Sequence, residues 1–229
     1  THCISSAASD VYKRQVEALP RASVTAADQH RLRVGLTSSA AVVCGPLLYA
    51  SWCLPNARRS LEMATADEGS LLEGLLQRRF DAVIAPKPRK FVHPDVVERP
   101  LYELQPQVYA RKGHPLARAQ SLVQLQGAAW ACVGPSVSGP VDVLTEAHRV
   151  RRMPAPRMAA RCPDFASLLH LVAQSDLLAV VPHPALLGGA STLVAPLRLA
   201  ESLPLYGMWL FEPRGHKSRL GPEVFAPAG

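Results

Sequence analysis

Apolar positions along this chain follow two alternating periods, and the changes of period mark out its elements. The run LRVGL (32–36) is apolar without interruption, as in a strand buried on both faces. Three hydroxyls follow it, Thr37, Ser38 and Ser39, and then a run of small apolar residues to Trp52. That run is predicted as a helix from Ser39, with Pro46 in or just before a first turn. RSLEMAT (59–65) alternates, with Leu61 and Met63 turned inward, and suits a strand. SLLEGLLQRR (70–79) places Leu71, Leu72, Leu75 and Leu76 on one helical face, with Asp67 and Glu68 ahead of the first turn, where acids are favoured. FDAVIAP (80–86) is a further buried strand. Strand, helix, strand, helix and strand in about 55 residues make the pattern of a parallel, doubly wound sheet.

The pattern then returns. VVERPLYELQPQVYARKG (96–113) is extended and broken by Pro100 and Pro106, and GHPLA (113–117) is a turn. AAWACVG closes a strand before Pro135, and Ser138 to Val150 suits a helix opened near Pro140. PRMAARC (156–162) is extended, FASLLHLVAQ (165–174) is an amphipathic helix with Asp164 as its cap, and DLLAVVPH (176–183) is a very apolar strand. TLVAPLRL (192–199) and PLYGMWLF (204–211) are predicted as the last strands. The first fifteen residues have no period and read as non-native sequence, 16–30 read as a linker, and the tail after Phe211 is broken by Gly215, Gly221, Pro222 and Pro227.

Composition narrows the class without choosing it. Of the 229 residues 48% are hydrophobic and 19% charged, which predicts a packed core rather than disorder. No apolar run approaches the ~18 residues of a membrane span and no signal peptide opens the chain, so a cytoplasmic product is expected. The net charge of +7 is carried mostly by dispersed arginines, with no dense basic helix that would read nucleic acid. Cys3, Cys44, Cys53, Cys132 and Cys162 include no C-x-x-C pair, and the histidines lack ligand spacing, so buried thiols and no metal are expected. No cofactor motif is present.

Taken in order, LRVGL with Thr-Ser-Ser, LLEGLLQRRFDAVIAP, ERPLYELQPQVYARKGHPLA, AAWACVGP, DFASLLHLVAQSDLLAVVPHPAL and PLYGMWLF resemble the effector-binding domain of a LysR-type transcriptional regulator. The resemblance covers about Leu32 to Phe211. It implies an α/β fold of the type-2 periplasmic-binding-protein kind, with two Rossmann-like subdomains joined by two crossover strands. Residues 1–31 would then be a non-native or linker segment, 32–100 with 203–229 subdomain I, and 101–202 subdomain II, with hinges at Pro100 and Leu203–Pro204. The family carries a helix-turn-helix before this domain. The chain has no room for one before Leu32, so it is expected to be the sensor cut from a longer regulator, meeting DNA only through that missing part.

Ligands of such folds bind outside the carboxyl ends of the parallel strands. There stand Thr37, Ser38 and Ser39. One hydroxyl suffices to cap a helix; the surplus, with the free amides of the helix start, suits a carboxylate or sulfonate. Asp67 is a cap or a cleft acceptor, Pro86 follows the third strand, and Lys87 is a surface charge or an anion partner. In the second half Gly134, Pro135 and Ser136 precede a helix, Asp164 is a cap, and Phe165, by the resemblance, faces the effector or fills the core. None of these is placed with an acid–base partner, so no enzyme is expected. The expected function is an effector-sensing and oligomerisation domain, forming a homodimer or tetramer; a solute-binding protein of a transport system with the same fold is the alternative. The family's dimers set a helix of one subdomain on a helix of the other, and Pro46–Trp52 and Phe165–Gln174 are the segments expected to meet.

Overall fold

In the computed structural model, residues 30–88, 91–134 and 140–221 are described. The leading segment to residue 29, the end of the PKPRK run, Pro135 and Ser136 of the GPSVSG loop, and the tail from 222 lie outside them.

The elements follow the hydrophobic pattern closely. β1 (Arg31–Leu36) leads to α1 (Ser38–Trp52), β2 (Ser60–Thr65), α2 (Glu68–Leu76) and β3 (Ala82–Ala85). β4 (Val96–Leu104) and β5 (Gln107–Arg111) come next, then β6 (Ala129–Val133), α3 (Pro140–Val150), β7 (Arg157–Cys162), α4 (Phe165–Ala173) and β8 (Leu177–Val181). A kinked 3-10 segment over Pro184–Thr192, β9 (Val194–Pro196) and β10 (Tyr206–Pro213) finish the described chain.

These strands form two five-stranded mixed sheets, in the orders β2-β1-β3-β10-β4 and β7-β6-β8-β5-β9. In the first, β1 runs parallel to β2 and β3, and β10 returns antiparallel between β3 and β4. In the second, β6 runs parallel to β7 and β8, while β5 is antiparallel to β8 and β9. Central strands are apolar on both faces because helices cover both, and Leu32, Val34 and Leu36 of β1 are fully buried. The largest core cluster joins the sheets, combining Leu36, Leu48 and Leu210 with Trp130, Leu144 and Val180. Two smaller clusters lie beneath the short helices, one around Phe165, Leu169 and Val172 and one around Leu71, Leu75 and Phe211.

Four expectations change. Met63 is half exposed and Leu61 only partly buried, because β2 is the edge of its sheet. The period of a strand says which residues share a face, not whether anything covers that face. Pro46 sits in the middle of α1, not near its first turn, so the helix lacks the bond from residue 46 to the Val42 carbonyl. The strand expected over 192–199 shrinks to Val194–Pro196, ending at a residue with no N–H to continue the ladder. Pro100 lies within β4, opposite Trp209 at a register shift; β4 is the other edge of the first sheet, where a missing donor is tolerated.

Candidate functional site

The carboxyl ends of β1, β2, β6 and β7 lead into the starts of α1, α2, α3 and α4, and between the starts of α1 and α4 the two halves of the chain line a cavity of about 440 Å³. One wall is the first turns of α1, presenting Ser38 and Val42. The other is the start of α4, with Asp164, Phe165 and Leu169, and the segment from Leu186 to Ala190. Gly188 holds φ +47°, ψ −133°, a backbone open in practice only to glycine, and so turns this segment over the cavity.

The hydroxyl triplet divides by position. Thr37 is the N-cap residue of α1 in extended conformation, but its side chain makes no capping hydrogen bond. Its backbone N–H instead donates to the Ile84 carbonyl at 3.2 Å, tying the helix start to the end of β3. Thr37 and Ser39 are buried, with Oγ1 and Oγ 3.5 Å apart. The expected capping hydroxyl is therefore not used as a cap, because the Thr37 side chain is turned inward toward Ser39. Ser38 alone of the three lines the cavity.

Both aspartates cap their helices. Asp67 accepts from the Ser70 amide at 3.0 Å and from its hydroxyl at 2.7 Å, so both carboxylate oxygens are engaged at α2, away from the cavity lining. Asp164 accepts from the Ser167 amide at 2.7 Å, and this bond holds its carboxyl below the ordinary range. Phe165 is buried in the cluster beneath α4 while one side of it lines the cavity. Pro86 is buried after β3, and Gly134 follows β6 with its N–H on the Cys162 carbonyl at 3.0 Å. A Cβ at Gly134 would meet Arg161 at 3.5 Å, an ordinary contact, so no close approach demands glycine there. The structure thus brings Ser38, Asp164 and Phe165 to one cavity and leaves Asp67, Pro86 and Gly134 out of its lining; Pro135 and Ser136 lie outside the described residues.

The charge of the wall is decided by few groups. Among the described residues no lysine or arginine lines the cavity. Lys87 pairs with Glu98 and lies 5.0 Å over the Trp209 ring, so its charge is already met. His170 is exposed at the rim and accepts or donates at Nε2 with the Gln174 amide at 2.9 Å. Val42, Leu186 and Gly188 were not singled out from sequence; the Gly-Gly after PALL was the signal that could have found that segment.

Three buried thiols, Cys44, Cys132 and Cys162, are poor nucleophiles. Burial pushes Cys44 up to about 11 against a hydrogen bond with Tyr102, and burial likewise raises Cys132 and Cys162. The Tyr102 ring meets His183 edge-on at 6.2 Å, so one side chain of β4 touches α1 and the exit of β8 at once. Among the described residues no helix is long and apolar enough to cross a membrane.

The family model for the LysR substrate binding domain matches residues 25–225. Among solved structures, a putative LysR family transcriptional regulator from Pseudomonas aeruginosa superposes with a TM-score of 0.69 at 18% identity, covering 94% of this chain and 73% of its own. The C-terminal domain of a probable LysR family transcriptional regulator from Rhodococcus sp. RHA1 gives 0.70 at 18% identity, over 85% and 96% of the two chains. The CcmR regulatory domain of Synechocystis PCC6803, in complex with 2-PG, gives 0.70 at 16% identity, over 85% and 93%.

Proposed function

Because the chain belongs to the LysR substrate-binding domain family, we propose that it is the effector-sensing and oligomerisation domain of a bacterial transcriptional regulator, with the effector held in the cavity between α1 and α4. The type-2 periplasmic-binding-protein fold is shared with transport proteins, but the family matched is that of regulators, and the transport alternative is not favoured. The observation that carries the reading is the 440 Å³ cavity, which takes one wall from each sheet's helices and lies where ligands of such sheets bind.

The two lobes are the two sheets with their helices, crossing at Gln105–Pro106 and Leu203–Pro204. The Gln105 side chain donates to the Leu203 carbonyl at 2.5 Å and so ties the crossing points together. A ligand touching both walls stabilises the lobe angle that fits it best, and that differential affinity is the signal passed on. The wall has an apolar body with hydroxyl and amide donors and no nucleophile paired to a base, which suits holding a ligand unchanged. For a carboxylate or sulfonate, Ser38 and the first amides of α1 are the supporting features, while the Asp164 charge opposes it.

For oligomerisation, α1 and β2 supply an exposed apolar face of Val42, Tyr49 and Met63, each between 46% and 55% exposed. The apolar side of α4 is occupied by its own sheet through Leu168, Leu169 and Val172. We therefore assign the subdomain I half of a homo-oligomer interface to α1 and β2.

A thermal-shift screen of aromatic and aliphatic acids, alcohols and amines tests the cavity. A hit is expected to raise Tm in the wild type and to lose its effect in Val42→Trp, which fills the cavity from a half-exposed position. A full shift retained in that variant would place the ligand elsewhere and sink the reading.

A further inference from the structure

At the opposite end of the first sheet, where β1 and β3 begin, lies a second cavity of about 530 Å³. Its floor is apolar, formed by Leu32, Phe80, Pro213 and Leu220, of which Leu32 and Leu220 are buried. Its rim is polar and mostly cationic, and the charges fall into two groups.

The first group is settled within the fold. Asp81 accepts from the Arg33 backbone N–H at 2.8 Å and from its guanidinium at 3.3 Å, with Arg219 at 3.9 Å. Glu212 is held by Arg99 at 3.6 Å and by the Ser218 hydroxyl at 2.6 Å. Both acids lining the cavity are therefore compensated. The second group is not. Arg78 Nη1 lies 3.2 Å from His216 Nδ1 and has no carboxylate partner among the described residues. Lys217, also in the lining, has no hydrogen-bond or ion partner among them. A guanidinium and an ammonium thus stand uncompensated above an apolar floor.

The backbone beneath Arg78 adds a separate observation. α2 ends in a Schellman motif, with Arg78 N–H on the Leu75 carbonyl at 3.0 Å and Arg79 N–H on Gly74 at 2.8 Å. The residue that such a motif holds left-handed is ordinarily glycine; here it is Arg78, at φ +61°. That turn sets Arg78 at the rim of the cavity.

We propose that this cavity is an accessory site for an amphipathic anion, with an aryl or acyl body on the Leu32–Phe80 floor and a carboxylate, sulfonate or phosphate between Arg78 and Lys217. The volume lies within the ~300–1,000 Å³ of small-molecule sites. Guanidinium and ammonium with free donors suit such a head group, and the apolar floor selects against small inorganic ions. The site is separate from the cavity between α1 and α4 and stands or falls without it.

α3 supplies an internal control. It ends in the same motif, with Arg152 N–H on Arg149 at 3.1 Å and Met153 N–H on His148 at 2.9 Å, and Arg152 at φ +55°. Arg152 lines no such cavity. The test titrates 8-anilinonaphthalene-1-sulfonate, followed by fluorescence, into the wild type and into Arg78→Gly, Lys217→Gln and Arg152→Gly. N-phenyl-1-naphthylamine serves as the uncharged probe of the same body. Expected are saturable binding of the sulfonate, at least fivefold weaker in Arg78→Gly and Lys217→Gln, unchanged in Arg152→Gly, with Tm not lowered in either glycine variant. Unchanged sulfonate affinity in both Arg78→Gly and Lys217→Gln, equal affinity for the uncharged probe, or no saturable binding at all would overturn the proposal. Lys217→Gln alters an exposed side chain and keeps the test decisive if a glycine variant folds poorly.

Discussion

The cavity between α1 and α4 and the one behind β1 and β3 differ little in size, about 440 and 530 Å³, and sharply in chemistry. The front cavity is reached from helix starts and strand ends; its wall is apolar, with Ser38 and a capping Asp164, and carries no lysine or arginine among the described residues. The rear cavity is reached from a helix end and strand starts, and its rim is mostly arginine, lysine and histidine, with Asp81 and Glu212 already paired. Part of the contrast follows from the helices, since Arg78 follows the end of α2, while His216 and Lys217 follow β10. A helix start draws capping hydroxyls and acids, and a helix end draws cations and left-handed residues, because the unbonded amides and carbonyls demand opposite partners. In a doubly wound sheet every start lies at one edge and every end at the other, so the two edges acquire opposite character before any ligand is considered.

Experiments that break this contrast run from large effects to small. β1 reaches from the rear floor at Leu32 to the front at Thr37, and a Cβ on Gly35 would stand 2.8 Å from Leu71 and 3.0 Å from Phe80. Gly35→Val is expected to destabilise by ~1–3 kcal/mol through overpacking and to weaken ligand binding at both cavities; urea unfolding measures the first, and an effect confined to one cavity would show that the ends are not mechanically joined. Asp67→Ala and Asp164→Ala should each cost about 1 kcal/mol of stability as lost caps, while only Asp164→Ala changes the ligand response of the front cavity. Equal ligand responses would reduce Asp164 to a cap. Arg78→Gly and Arg152→Gly are expected to stabilise by ~0.5–1 kcal/mol each, read as Tm, if relief of the left-handed strain outweighs glycine's added freedom in the unfolded chain.

The smallest effect is on pH. Burial lowers His148, with Arg151 adding to the shift, and burial lowers His183. A histidine whose folded value lies below its unfolded 6.5 binds its proton more readily unfolded, so stability is full above about 6.5 and declines as pH falls through and below it. Tm should therefore drop between pH 7 and 5.5, and His148→Gln with His183→Asn should flatten that slope; an unaltered slope would place the titration in other groups. Loss at the front alone, through His183 beside Tyr102, would mark the front as the pH-sensitive edge.

Much of the fold was legible in the residues. The order of strands and helices, the caps at Asp67 and Asp164 and the paired α/β units were all readable, because capping and periodicity are local and act within a turn or two of chain. Of the candidate site residues, Ser38, Asp164 and Phe165 meet at one cavity, while Thr37 and Ser39 turn inward. A triplet of hydroxyls at a helix start cannot declare which of them faces out, since that depends on the rotation of α1 against β3.

What the sequence by itself determined is thus the set of elements and which residues share each face. Only the tertiary structure decided which faces are covered. Met63 alternates correctly yet stands half exposed, because its strand ends the sheet order. The rear cavity joins residues 32, 78 and 217, which nothing in their local pattern links. Periodicity is a property of one segment, whereas burial and cavities are properties of segments brought together, and that pairing is set by which strand lies beside which across the whole chain.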